Sequence, residues 1–332
     1  WQAVAKLIDK EDKPFDCNDL GFQIGPRINA RSRMADPYAA LHFLLADSLA
    51  EAMEFLHILD QDNQRRKRTE KEMVTIAKLS AESQIRAGRR GLVVADDDFH
   101  LGVQGIVASR LVDRFGMPTV VMTTANDPEY MTGSARTIDR VHIRDVLAKI
   151  DEAQPEMFKS FGGHRGAAGL TIHRARAAEF NLLFDQVVRA ELGCDDDLYP
   201  EIKTDGRLER DQISLATYRE IQSLQPFGRG FMAPVFEGEF TISAMKWLGR
   251  EPIHLSLQMV GQGQKHRGIW FFAKDQGDES WPLAIGDSID VAYALMPNTF
   301  RGETTLQLQI LALRLVDGQQ TEVRALGQSG AV

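Results

Sequence analysis

Apolar residues recur at helical spacing through the first quarter of the chain, at Leu41, Leu44 and Leu45, then Ala52, Phe55, Leu56 and Leu59, then Met73, Ile76 and Ala77. This predicts helix from Pro37 to about Ala87, with a break near Asp47; Asp36 or Asp47 could cap it. Ahead of it, Trp1 to Phe15 holds one short helical piece, AVAKLID, and a polar linker. From Gly91 the pattern changes. GLVVA (Gly91–Ala95) and PTVVM (Pro118–Met122) read as buried strands, TGSARTI (Thr132–Ile138) as a short polar strand, and GLTI (Gly169–Ile172) as another. Helical stretches lie between and after them, at Ile106–Phe115, around Ile143–Ile150 and from about Ala175 to Leu192. That alternation predicts an α/β domain with a mainly parallel or mixed sheet. After an acidic linker, CDDDLYPE (Cys194–Glu201), and a short helix at Ser214–Leu224, strict alternation takes over at Ile253–Met259, Ile289–Leu295 and Leu306–Ile310. Five or so short strands between glycine turns predict an all-β barrel of the oligonucleotide-binding type.

Composition narrows the class. The 332 residues exceed one compact core, so two or three domains are expected. A net charge of −8 excludes a protein that coats nucleic acid by bulk positive charge, but not a local basic track. No apolar run could span a bilayer and no secretory leader is evident, so the cytoplasm is the expected location. Cys17 and Cys194 imply no disulfide framework. Trp1 in place of an initiator methionine predicts a fragment with an upstream domain outside it.

Several stretches carry candidate chemistry. FGGHRGAAGL (Phe161–Leu170) places His164 among four glycines, which suits an anion nest or a tight turn into a strand. In GPRINARSR, Arg27, Asn29, Arg31 and Arg33 alternate, and an extended loop would set them on one face, either around a phosphate or in solvent. Ser134 and Arg136 share a strand face, a hydroxyl beside a bidentate cation. His100 follows a strand. The Asp96–Asp98 run invites a metal-site reading, yet three consecutive carboxylates in an extended chain cannot all face one ion, which favours a solvated loop. Basic residues crowd the second half of the long helix, from Arg65 to Arg90, as a groove wall or a solvated face. Trp247, Trp270, Phe271 and Phe272 are either base-stacking groups or barrel core.

Taken in series, LGFQIGPRINARSRM, HLGVQGIVASRLVDRFGMPTVV, GSARTI, FGGHRGAAGL, PFGRGFMAPVF and FRGETTLQL over about residues 1–316 resemble the C-terminal part of the RecJ family, single-strand-specific 5′→3′ exonucleases of the DHH phosphoesterase superfamily. The sequence departs from the family pattern at Arg31-Ser32, Phe99 and Ala135. The resemblance implies a remnant of an upstream DHH domain and a linker loop at 1–36, a connecting helix at 37–88, a DHH-associated α/β domain at 89–194, a linker with a short helix at 195–230, an oligonucleotide-binding barrel at 231–316 and a loose tail at 317–332. It implies that His164 contacts the reacting phosphate, with Gly162 and Gly163 beside it. It implies that Ser134, Arg136 and Arg27 hold the terminal 5′-phosphate, that Asn29 and Arg33 bind phosphate or DNA, and that His100 lines the cleft. Two Mn²⁺ or Mg²⁺ ions would activate water in an upstream Asp-His-His domain, a tripeptide this sequence lacks, so the fragment would bind without cutting and hold no metal. Implied partners are single-stranded DNA with a 5′ end, a single-strand-binding protein and a helicase, in DNA repair and recombination, with the protein a monomer. The competing reading is a non-catalytic nucleic-acid-binding or scaffold protein derived from the family.

Overall fold

The computed structural model describes residues 1–332 apart from 13, 194–197, 199, 229, 251, 275–282 and 317–332. Cys194 with the aspartates after it, and the tail from Asp317, lie outside the described residues. Packing divides the chain into Trp1–Tyr199 and Pro200–Val332.

The first unit begins with four helices. α1 is Gln2–Leu7, α2 Gly25–Met34, α3 Tyr38–Leu45 and α4 Leu49–Arg86. The stretch expected as an extended loop is α2, entered through a π-helical turn at Asp19–Ile24. Pro26 lies in the first helical turn, where its missing N–H costs nothing, so Gly25-Pro26 opens a helix instead of bending the chain. Helical spacing then splits the four polar residues. Arg27 and Arg31, one turn apart, meet α4 through Asp60 (2.8 Å) and Asp62 (2.9 Å), while Asn29 and Arg33 stay exposed. The break near Asp47 is present. Ser48, one residue later than the expected cap, accepts from the Glu51 amide at 3.2 Å, and the Glu51 carboxylate accepts from the Asp47 amide at 3.2 Å. Asp36 accepts from the Tyr38 amide at 3.0 Å ahead of α3.

The 38 residues of α4 make a rod of about 57 Å at 1.5 Å per residue. Its first half buries Leu56 and Leu59 against Val4, Ile24 and Phe43. Its second half buries Met73, Ala77 and Ala81 against the α/β layer. Thus one helix belongs to two cores, which explains why its apolar stripe persists for so long.

The α/β layer is a five-stranded sheet, with β1 Leu92–Ala95, β2 Thr119–Thr124, β3 Tyr130–Arg136, β4 Phe158–Gly163 and β5 Ala167–His173 in the order β1-β2-β3-β5-β4. Only β1 and β2 run parallel; the other pairs are antiparallel, so the sheet is mixed. β4 is a strand that periodicity does not predict. Phe161-Gly162-Gly163 is its end, and the glycine-rich stretch is a hairpin from β4 into β5, not a lone turn. α6 (Ile143–Ala153) and α7 (Ala177–Leu192) cover one face, burying Val146, Leu147, Ile150, Phe180 and Phe184 against Ala135, Ala168, Leu170 and Ile172. α5 (Gln104–Phe115) packs on β2 and β3 from the opposite side. On that side β5 and β4 carry exposed Gly169, Gly162 and Ser160.

The second unit holds α8 (Leu215–Ser223) and a closed barrel of β6 (Phe236–Leu248), β7 (His254–Gly261), β8 (Gln264–Trp270), β9 (Ser288–Phe300) and β10 (Glu303–Leu315), in the order β10-β8-β7-β6-β9. Alternation along β7 and β9 turns Leu255, Leu257, Met259, Ile289, Val291 and Tyr293 inward. Trp270 joins them at 2% exposure, which removes it as a base-stacking group. No helix among the described residues is long and apolar enough to cross a membrane.

Candidate functional site

The site grows from the alternation of β3. Met131, Gly133 and Ala135 are buried, so Thr132, Ser134 and Arg136 point to the opposite face, beneath the start of α5. The buried Gln104 side chain donates to the Thr132 carbonyl at 3.0 Å and fixes the first turn of α5 over β3. Gly105 then comes so close that a β-carbon there would lie 2.7 Å from Arg136 Nη2 and 3.6 Å from Ser134 Oγ. The helix start, the guanidinium and the hydroxyl therefore converge on one point. No side chain caps α5, so its first N–H groups and its dipole favour an anion there.

Arg33 reaches the same point from α2. Its Nη1 donates to the Gly102 carbonyl at 3.0 Å. The Arg33 carbonyl in turn lies where a Gly102 β-carbon would stand, at 2.3 Å, so only glycine fits. His100 Nδ1 accepts from the Gly102 amide at 3.1 Å and shapes the turn into α5. Arg136 is held below the usual arginine range by burial and then by the positive charge of Arg33. Its Nη1 donates to the Ala135 carbonyl at 2.8 Å, and among the described residues no carboxylate pairs with either guanidinium. Two cations without a carboxylate partner beside an uncapped helix start could together hold an anion.

The strand register extends this site across the sheet. Ser134 pairs with Gly169, which pairs with Gly162; Arg136 pairs with Ala167, whose carbonyl accepts from the His164 amide at 2.8 Å. His164 is exposed in the hairpin turn. Arg165 pins that turn to the start of α6, through its side chain to the Asp139 carbonyl and its own carbonyl from the Ile143 amide. The glycines differ in kind. Gly163 has φ +151° and a β-carbon there would lie 2.4 Å from the Ala167 carbonyl, so the fold requires it. A β-carbon on Gly162 would meet nothing within 4 Å and one on Gly169 only an atom at 3.9 Å. Glycine weakens a strand, and packing does not require it at either position; the bare backbone leaves room for close approach from outside.

Arg27 is not among these groups. Its Nε is paired with Asp60 and its Nη1 donates to the Gln23 carbonyl at 2.7 Å, about 9 Å along α2 from Arg33. Asn29 is exposed on α2, one turn before Arg33. The Asp96–Asp98 run is a structured turn. Asp96 accepts from the Asp98 amide at 2.9 Å, and Asp97 grips Arg174 at 2.9 and 3.0 Å. Hydrogen bonds from Arg174 and then Thr124 hold the Asp97 carboxyl below its usual range. No group of three or more His, Cys, Asp or Glu among the described residues could hold a metal ion. Arg66 of α4 and Arg110 of α5 close on Glu70 and tie the two helices together, whereas Arg65, Lys67 and Arg68 of α4 have no carboxylate partner among the described residues. In the barrel, Trp247 is half-buried with Lys274 Nζ 4.5 Å from its ring centre.

Gly102 and Gly105 are the members that sequence reasoning passes over. The signal is a glycine inside an amphipathic helix, QGIVASR, which costs about 1 kcal/mol against alanine and needs a local reason.

A family model for the DHHA1 domain matches residues 88–190, and one for the RecJ OB domain matches residues 204–312. The chain belongs to the RecJ family. The single-stranded-DNA-specific exonuclease RecJ of Haemophilus influenzae is 34% identical over 321 residues, covering 95% of this chain and 55% of that protein. The Escherichia coli RecJ is 31% identical over 312 residues, covering 93% and 53%. The crystal structure of RecJ from Thermus thermophilus in complex with Mg²⁺ matches with a TM-score of 0.74 at 25% identity, over 95% of this chain and 46% of that one. The chain thus spans about half the length of these RecJ relatives. The five-stranded sheet lies within the DHHA1 match and the barrel, up to residue 312, within the RecJ OB match.

Proposed function

We propose that this chain is the strand-gripping part of a cytoplasmic single-strand-specific 5′→3′ exonuclease of DNA repair and recombination. The observation that carries this reading is the convergence of Arg136, Ser134 and Arg33 on the uncapped start of α5, with no carboxylate among them. A terminal phosphomonoester suits that site. It carries more negative charge than an internal diester and offers three oxygens, enough for a bidentate guanidinium, a hydroxyl and helix N–H groups together. A strand held by its 5′ end has one polarity, and its first internal phosphate falls at a set distance from the clamp. Across the sheet, the bare surface at Gly169 and Gly162 lets the backbone come close, and His164 at the hairpin turn supplies a donor to a phosphate oxygen.

The Thermus relatives were solved with Mg²⁺ and with Mn²⁺. The described residues of this chain do not fit such an ion: Asp97 is committed to Arg174, and no ligand group is assembled elsewhere. Divalent ions would supply phosphate neutralisation and an activated water, and in this reading they are held by residues that this chain does not include. The chain alone therefore binds and does not cut.

Fluorescence anisotropy with 5′-phosphorylated and 5′-hydroxyl oligonucleotides tests the reading. The phosphorylated form binds more tightly, and Arg136→Ala erases the difference while leaving weak, salt-sensitive binding of both. An equal loss for both oligonucleotides rejects the end-recognition role. Degradation of DNA by this chain in Mn²⁺ rejects the assignment of the metals to other residues.

A further inference from the structure

The face of the sheet that carries Ser134 and Arg136 does not end at them. Tyr130 lies four residues before Ser134 on β3, on the same face, at about 13 Å for 3.3–3.4 Å per residue. Its register partner on β5 is His173, with ring centres 4.5 Å apart. Lys159 comes from the bulge of β4 and sets its Nζ 3.7 Å from the centre of the Tyr130 ring. The ring is thus flanked by an imidazole and an ammonium. His173 and Lys159 are exposed, and among the described residues neither has a carboxylate partner. Of the carboxylates at this end of the sheet, Asp97 is gripped by Arg174, while Asp127 and Glu129 lie exposed in the turn that leads into Tyr130, where the Asp127 carboxylate accepts from the Glu129 amide at 3.1 Å. Between the two clusters the face carries only small side chains, Thr132 and Thr171, then Ser160 and Gly169.

A cross-strand aromatic pair is an ordinary way to strengthen a sheet. It does not require an unneutralised ammonium on the ring, or continuity with an anion site. Positive charge at both ends, a narrow floor between them and an aromatic group at the far end match one occupant, a single nucleic-acid strand: phosphates meet the cations and a base meets the rings. Resting on the terminal-phosphate reading above, we propose that Tyr130, His173 and Lys159 form a second contact for the same strand, taking a base and its phosphate a few nucleotides inward from the 5′ end.

The test uses this 332-residue chain and 5′-phosphorylated oligothymidylates in which one abasic position is moved through the first six nucleotides. Binding by the wild-type chain drops about tenfold at one internal position, the magnitude of a lost base–aromatic stack. Tyr130→Ala binds the intact oligonucleotide about tenfold more weakly and shows no such position, whereas Tyr130→Phe keeps it. Lys159→Gln and His173→Ala, both on exposed side chains, weaken binding and do so without lowering the thermal midpoint. All of these variants keep the preference for a 5′-phosphate. A uniform abasic profile in the wild type, or a profile unchanged in Tyr130→Ala, overturns the proposal and leaves the face to a protein surface. Failure of the terminal-phosphate reading is separate, because it appears as an unchanged phosphate preference in Arg136→Ala.

Discussion

A β-carbon built on Gly105 would stand 2.7 Å from Nη2 of Arg136, so the guanidinium lies directly on the backbone at the start of α5. The obstructed atom is the far end of a flexible side chain, which can swing away. Gly105→Ala therefore keeps the fold. Alanine in the helix is worth about 0.5–1 kcal/mol over glycine, so the thermal midpoint stays level or rises. Yet the displaced guanidinium no longer shares its oxygens with Ser134 and the helix. We expect the preference for 5′-phosphorylated over 5′-hydroxyl oligonucleotides to fall by about 1–2 kcal/mol, roughly the worth of one charge-assisted hydrogen bond, measured by anisotropy beside a melting curve. A lowered midpoint with an intact preference contradicts the placement.

The two glycines at the end of β4 should answer oppositely to alanine. At Gly163, φ +151° and the Ala167 carbonyl 2.4 Å from the new carbon leave no room for relaxation. Gly163→Ala is expected to destabilise by about 1–3 kcal/mol through backbone strain and overpacking. At Gly162 nothing lies within 4 Å, and a strand gains order from a side chain. Gly162→Ala should leave the midpoint unchanged or raised and weaken oligonucleotide binding. Melting curves for both variants, each paired with one binding isotherm, separate the structural glycine from the ligand-facing one.

Much of this fold is legible in periodicity. Leu92–Val94, Val120–Met122 and the alternation of β7 and β9 announce strands, and the α4 stripe announces a helix crossing two cores. What does not show is hidden for local reasons. Gly25-Pro26 reads as a turn, although a first-turn proline suits a helix, and that choice turns i,i+4 partners into i,i+2 neighbours. Glycine conceals β4, because Gly162-Gly163 looks like a loop until pairing with Gly169 and Ala168 supplies the ladder. Trp270 could be interior or exposed by composition, and barrel closure decides it. The spacing of Ser134 and Arg136 puts them on one strand face, and β3 has them so. Arg33 is singled out by the sequence too, but on an extended loop beside Arg27; Gly102 and Gly105 are not, since they come from the start of α5 and the turn before it, and only packing brings α2 and α5 to β3.

Asp185 predicts an acid-sensitive joint between α7 and β1. Burial pushes its carboxyl up, but the Arg90 and Gly91 amides at 2.6 and 3.1 Å, with Arg189 at 2.9 Å, outweigh that and hold it below its usual range. A group depressed in the folded state adds stability above its unfolded value, near ~3.9, and loses it as pH falls through the folded value. Asp185→Asn should thus melt below the wild type at neutral pH, by about 1–2 kcal/mol for the lost charge-assisted bonds. The two curves should converge below about pH 4. Calorimetry from pH 7 to pH 3 checks this, and a gap that widens toward acid would contradict it.

Arg33 and Arg136 are like charges on one spot, and the fold tolerates them without a carboxylate between. Their repulsion opposes folding when no anion is bound and is reversed into attraction when one is. Arg33→Ala relieves that repulsion but also loses the Arg33–Gly102 hydrogen bond, worth about 1 kcal/mol, so the ligand-free midpoint should move little. With a 5′-phosphorylated oligonucleotide the comparison changes. A ligand at a hundred times its Kd stabilises the folded state by about 2.7 kcal/mol. At one fixed oligonucleotide concentration, the wild type should gain several degrees and Arg33→Ala clearly less, with Arg33→Lys in between because it restores charge without the planar fork. The same scan with a 5′-hydroxyl oligonucleotide should show a smaller difference between wild type and Arg33→Ala. Equal ligand-induced shifts in all three proteins would remove Arg33 from the phosphate site and leave Ser134, Arg136 and the α5 helix start as its whole complement.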